Sequence, residues 1–127
     1  GYFTKWGDYC ADLLPLADLY KSQVRQLATH VGLPTRLLEK PPTPGLWPGQ
    51  TAEGELELGY GLLDLILYGL ERFMKVEEIA QEVGLRVETV KRIESRWLGS
   101  EHKRRPPLTM KLGYRSVGMD FRLPYQT

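Results

Sequence analysis

Glu101-His102-Lys103-Arg104-Arg105 gathers four anion-facing side chains into five residues, and Pro106-Pro107 stiffens the chain behind them. Arg and Lys supply charge and His an added donor, a set suited to a phosphate or carboxylate. A solvated basic run favoured by a helix C-terminal dipole has the same composition. Lys21 is a second candidate. It falls in the first turn of an expected helix, the end that disfavours cations, and a phosphate bound near that N-terminus would account for it. Simple snorkelling of a long side chain is the alternative. Asp12 stands in an apolar run before Pro15, where a buried acid needs a capped backbone or a ligand. Thr43 is a hydroxyl wedged between Pro42 and Pro44.

That threonine lies in Lys40 to Thr51, a stretch with four prolines and two glycines in twelve residues. Each proline removes a backbone donor and fixes φ, so the segment reads as a stiffened loop. It also carries a large aromatic, Trp47. With its flanks, Glu39 to Glu55, it exceeds the usual connection of about 2–8 residues; loops that long are usually functional or disordered, and the embedded Trp favours function.

The chain that positions these groups has 127 residues, 42% hydrophobic and 26% charged, as in one ordinary globular domain. No apolar run approaches the ~20 residues that span a bilayer, so no membrane partner is expected. The lone Cys10 excludes an internal disulfide, and with two histidines it offers no structural zinc site. A reducing, cytoplasmic setting follows as the expectation. Net charge is only +1, but Glu101 to Thr127 holds six Lys/Arg against two acids, so the tail is +4 and the remainder −3. The chain opens on Gly-Tyr-Phe-Thr-Lys-Trp, without a methionine.

Tyr2 to Leu16, aromatic and apolar around Gly7-Asp8, predicts a strand or strand pair. Asp18 is a good N-cap for a helix with Leu16, Tyr20, Val24, Leu27 and Val31 on one face, closed by Gly32 and Pro34. A helical turn is expected over Thr35 to Glu39. From Leu56 to Phe73 apolar residues leave almost no polar face, which predicts a helix buried all round, in a core or at a subunit contact. Short amphipathic helices follow at Val76 to Val83 and Val87 to Leu98.

Residues 76–93 fit a helix-turn-helix: Ile79, Ala80 and Val83, a turn at Gly84, then Leu85, Val90 and Ile93. A DNA-binding module would turn Arg86, Glu88, Lys91 and Arg92 to the groove. A plain helical hairpin needs the same apolar residues. Charge separates the two, because Met74 to Leu98 has five basic and five acidic residues and so no net attraction for phosphates. No nucleic-acid partner is expected. Walker-type glycine loops, dinucleotide fingerprints and Ser/His/Asp or Cys/His arrangements do not occur.

Four stretches taken together resemble the NAD synthetase family, ATP pyrophosphatases with an adenine nucleotide alpha-hydrolase fold. They are Gly1-Tyr-Phe-Thr-Lys-Trp-Gly-Asp8, Asp12-Leu-Leu-Pro-Leu-Ala-Asp-Leu-Tyr-Lys21, Lys40-Pro-Pro-Thr-Pro-Gly-Leu-Trp-Pro-Gly-Gln50 and Glu101-His-Lys-Arg-Arg-Pro-Pro107. Order and spacing match, and the resemblance covers essentially all of residues 1–127 as the C-terminal part of such a domain. It implies an α/β class: the mostly helical part of an adenine nucleotide alpha-hydrolase-like (Rossmann-like) fold, with one or two short strands near the N-terminus. The family's Ser-Gly-Gly-x-Asp-Ser pyrophosphate loop is absent, as is the acidic magnesium ligand that precedes Gly-Tyr-Phe-Thr-Lys. The expectation is therefore a part inactive alone.

For a complete enzyme the resemblance implies ATP- and Mg2+-dependent amidation of deamido-NAD to NAD through an adenylated intermediate. Ammonia is the favoured nitrogen donor over glutamine. Lys5, Asp12, His102 and Lys103 look like deamido-NAD contacts, and Lys21 and Thr43 like ATP contacts; no metal ligand falls within the chain. Family members are homodimers, in keeping with the apolar helix at Leu62 to Leu70, and the helix-turn-helix-like hairpin becomes scaffolding. An inactive dimerisation fragment is the further alternative.

Overall fold

Alternation of apolar residues at helical spacing produces an all-helical core in the computed structural model, which describes residues 1–7, 10–115 and 117–120. The order is α1 (Lys21–His30), α2 (Thr35–Leu38), α3 (Ala52–Leu56), α4 (Tyr60–Glu71), α5 (Val76–Val83), α6 (Val87–Gly99), a 3-10 turn (Glu101–Lys103) and α7 (Val117–Asp120). The apolar helix α4 is the centre. Its Leu63, Ile66 and Leu70 meet Ile79 and Ala80 of α5 and Val90 and Ile93 of α6. Burying a side chain such as Ile66, fully enclosed here, contributes about 2 kcal/mol.

Gly69 permits the closest approach between helices. A Cβ there would lie 2.7 Å from Ile79 Cγ1, inside van der Waals contact, so α5 sits against bare backbone. Gly84 ends α5 at φ +68°, in the left-handed region that glycine enters without strain. The next amide, Leu85 N–H, returns to Ala80 O at 2.9 Å and turns the chain into α6. The hairpin expected over residues 76–93 therefore forms, and its apolar side is consumed by packing on α4. On its outer side Arg92 pairs with Glu57 and Lys91 with Glu77 at 3.9 Å.

Three expectations need correction. Among the described residues there is no strand, so the α/β pattern with short strands in Tyr2 to Leu16 is not seen. A strand needs a partner to satisfy its backbone. Here the segment closes on itself instead, with Gly7 N–H to Thr4 O at 2.9 Å, Ala17 N–H to Leu14 O at 3.2 Å and Leu19 N–H to Leu16 O at 3.1 Å. Asp8 and Tyr9 lie outside the described residues. Second, α1 starts at Lys21 with Tyr20 as N-cap, because Asp18 is taken into that turn and Gln23 Oε1 accepts the Tyr20 N–H at 2.8 Å. Third, the long apolar stretch from Leu56 to Phe73 is not one continuous helix. Glu57 at φ +54° breaks it between α3 and α4. On α4, Leu62, Leu65 and Tyr68 stay 37%, 55% and 44% exposed while the opposite face is buried.

Helix α1 is fastened to α4 largely by polar latches. The buried Asp64 carboxylate accepts Ser22 N–H at 2.8 Å and Ser22 Oγ–H at 2.6 Å. Tyr20 donates its hydroxyl to Glu71 and sets its ring edge-on to Tyr68 at 6.5 Å. Desolvation, then the Glu71 carboxylate, pushes the Tyr20 hydroxyl well above its ordinary range and keeps it a donor.

Candidate functional site

The proline loop is shaped by backbone turns and anchored at both ends. Gly45 and Gly49 take φ of +67° and +78°, Thr43 Oγ1 accepts Gly45 N–H at 3.0 Å, and Ala52 N–H reaches Pro42 O at 2.9 Å. Thr51 then caps α3 by accepting Gly54 N–H at 3.1 Å. The loop stands between two clefts and walls both. The larger, about 890 Å³, is lined by the N-terminal residues Gly1 to Thr4, loop residues including Thr43 and Trp47, and Glu55, Arg96 and Lys103 from the helices. The smaller, about 380 Å³, is lined by Lys21 and Arg25 of α1, Leu37 and Leu38 of α2, and Lys40 to Thr43. Both fall in the range that small ligands fill.

The structure brings Lys21 and Thr43 onto one cleft, and Thr43 and Lys103 onto the other. Lys5, Asp12 and His102 line neither. Lys5 lies exposed with its ammonium 5.1 Å from the Trp6 ring centroid. Asp12 is exposed as well, which corrects the expectation of a buried acid: the apolar residues around it, such as Leu13 at 76%, are themselves open to solvent. His102 is exposed on the 3-10 turn. Thr43 is exposed too, not buried among its prolines.

A side-chain anion stands at the N-terminus of α1. Asp64 from α4 sits against the first-turn amide of Ser22, next to Lys21. The cationic patch is likewise partly spent internally. Lys103 Nζ donates to Gly1 O and Phe3 O, both at 2.9 Å, and so ties the N-terminal segment to the cleft wall. Arg104 donates to Ser100 Oγ at 2.9 Å, Trp97 O at 2.8 Å and Glu101 Oε2 at 2.8 Å, closing the C-terminus of α6. His102 and Lys103 are presented on a turn braced by Arg104.

Hydrogen bonds from Arg104, then Arg105, hold the Glu101 carboxyl below the usual glutamate range. A depressed folded value contributes stability above the unfolded value, and that contribution is lost as pH falls through the folded one. The wild-type advantage over Glu101→Gln in urea melts should persist above pH ~5 and vanish well below ~4. A gap unchanged between those conditions contradicts this account of the brace.

Sequence reading missed Asp64, Gln50 and Glu55. Asp64 had a signal, an acid in the middle of an apolar helix, which calls for a partner just as was argued for Asp12. Gln50 and Glu55 gave none, since their pairing needs the loop to fold back. Among the described residues no group of three or more His, Cys, Asp or Glu side chains gathers to hold a cation. No helix among them is long and apolar enough to cross a membrane.

On this helical frame the proline loop separates two clefts that each carry cationic side chains, Lys21 and Arg25 in one and Arg96 and Lys103 in the other. The sequence profile described as NAD synthase matches residues 1–107, and the chain belongs to that family. The NH(3)-dependent NAD(+) synthetase of Sulfolobus acidocaldarius is 47% identical over 127 residues, covering 99% of this chain and 46% of the relative. That of Thermococcus kodakarensis is 50% identical over 109 residues, 85% of this chain and 43% of the relative. Among solved structures, the NMN synthetase of Francisella tularensis superposes with a TM-score of 0.61 at 37% identity, over 87% of this chain and 41% of that one. The chain thus spans less than half the length of the relatives it matches.

Proposed function

We propose that residues 1–127 are the C-terminal part of a NAD synthetase domain that binds deamido-NAD and ATP and takes part in ammonia-dependent formation of NAD. The carrying observation is Thr43, which borders both clefts at once, so that ligands in the two would meet at the proline loop. In this reading Lys21 and Thr43 face ATP in the smaller cleft, and Lys103 faces deamido-NAD in the larger. Lys5, Asp12 and His102 join the dinucleotide from the exposed rim. A second copy covers Leu62, Leu65 and Tyr68 of α4 in a homodimer.

The chemistry is acyl activation followed by aminolysis. A nicotinate carboxylate oxygen attacks the α-phosphorus of ATP, the bond to the bridging oxygen breaks, and pyrophosphate leaves. Ammonia then attacks the acyl carbon, the carbon–oxygen bond to AMP breaks, and a proton is lost from nitrogen. This chain supplies position and positive charge, which dominate such steps. Magnesium would supply charge neutralisation for the pyrophosphate, but the described residues offer it no donor set.

Lys21→Ala, in the protein expressed from the complete reading frame, should raise the KM for ATP about tenfold, as loss of one charge-assisted bond does. The KM for deamido-NAD should stay within about twofold. Unchanged ATP kinetics would remove Lys21 from the site. A second reading, a mononucleotide acid as substrate, draws on the likeness to an NMN synthetase. Direct competition between deamido-NAD and nicotinate mononucleotide, scored by kcat/KM, separates the two.

A further inference from the structure

Gln50 ends the proline loop and is a buried polar residue, 7% exposed. Its amide oxygen accepts Leu46 N–H at 2.9 Å, and its amide nitrogen donates to Glu55 Oε1 at 2.6 Å and lies 3.4 Å from the Tyr2 hydroxyl. The two strong partners fix which way the amide points, because a backbone N–H needs the oxygen and a carboxylate needs the NH2. Tyr2, Leu46, Trp47, Gln50 and Glu55 all line the larger cleft.

Little else holds that part of the loop. Pro44 and Pro48 have no N–H to give. The backbone bond nearest the tip, Gln50 N–H to Trp47 O, is long at 3.4 Å. The side chain of Gln50 is therefore the main tie between the Leu46–Trp47 bend and α3.

We propose that Gln50 is a positioning residue: through Leu46 N–H and Glu55 it sets the Leu46–Trp47 bend as a wall of the larger cleft before ligand arrives. Ordering the wall in advance removes an entropy cost from binding, so its loss weakens affinity more than turnover. That the ligand is deamido-NAD rests on the function proposed above.

An exchange of the two side chains tests this. Gln50→Glu sets two carboxylates against each other, whereas Glu55→Gln still lets Gln50 donate to an amide oxygen. In the double variant Q50E/E55Q the direction reverses: residue 55 donates, residue 50 accepts, and Leu46 N–H keeps its acceptor. Hydrogen exchange in the protein from the complete reading frame should show the Leu46 amide losing protection by about tenfold in Q50E alone, little change in E55Q, and recovery in the double variant. The Ile66 amide in α4 should hold its protection throughout.

In the protein from the complete reading frame, KM for deamido-NAD should follow the same pattern with a rise of about tenfold in Q50E, while kcat stays within about twofold. Unchanged Leu46 exchange in Q50E overturns the proposal, as does a double variant that fails to recover. Raised exchange with an unmoved KM overturns it too. If the wild-type protein forms no NAD at all, the function reading fails by itself, and the exchange series still decides whether Gln50 sets the loop.

Discussion

Ile66→Ala is expected to destabilise the chain by about 3–4 kcal/mol, the cost of the lost methyl groups plus the cavity left behind. Ile66 is completely buried at the point where α4 meets Ile79 of α5 and Val90 of α6, and those residues are themselves enclosed. Gly69 already brings α5 against the α4 backbone, so the helices have little room to close the void. Ile66→Val should cost only about 1 kcal/mol. The neighbouring Leu65 is 55% exposed in the single chain, so Leu65→Ala should cost under about 1 kcal/mol in the monomer and more where the proposed second copy covers it. Urea melts of the three variants check the series. A Leu65→Ala cost that grows with protein concentration is what the proposed homodimer predicts, and a cost under about 1 kcal/mol at every concentration would leave the outer α4 face uncovered.

Asp64→Ala should cost about 2 kcal/mol, by leaving Ser22 N–H and its hydroxyl without the carboxylate that receives them. The carboxylate also faces the positive end of α1, where an anion is favoured. Asp64→Asn keeps one acceptor oxygen and should lose about half as much. The consequence reaches the smaller cleft, because Lys21 is adjacent to Ser22 and rides on the start of α1. Asp64→Ala should therefore raise the KM for ATP along with the loss of stability, while Leu65→Ala should leave it alone. Denaturation midpoints with unchanged m-values, read beside ATP kinetics, check both parts. Stability of Asp64→Ala within about 0.5 kcal/mol of wild type would show that the latch is not needed.

Much of the hairpin was legible because local and tertiary demands agree there. Ile79, Ala80, Val90 and Ile93 fall at helical spacing, and the same residues are buried. Gly84 marks the turn because that position needs a positive φ. The N-terminal third was misread where they diverge. Tyr2 to Leu16 has the aromatic and apolar residues of a strand, but strand formation depends on a distant partner that no local pattern reveals. Asp18 has the chemistry of a cap, yet Gln23 and Asp64 fill that role at the start of α1 from three residues and a whole helix away.

The site divides in the same manner. The proline loop announced itself through composition, and it does wall both clefts. The charge on the 3-10 turn was equally plain, but its internal use was not. Lys103 reaches across to Gly1 and Phe3, a contact that depends on how the N-terminal segment meets the 3-10 turn, and Arg104 turns back into α6. Residue type gave the candidates; three-dimensional pairing decided which of them are already engaged.

The most direct measurement follows products from ATP, deamido-NAD and ammonium supplied to the protein expressed from the complete reading frame that contains this chain. The proposed function predicts one NAD, one AMP and one pyrophosphate for each ATP consumed. Cleavage to ADP and phosphate, or no amide product from deamido-NAD, would contradict it.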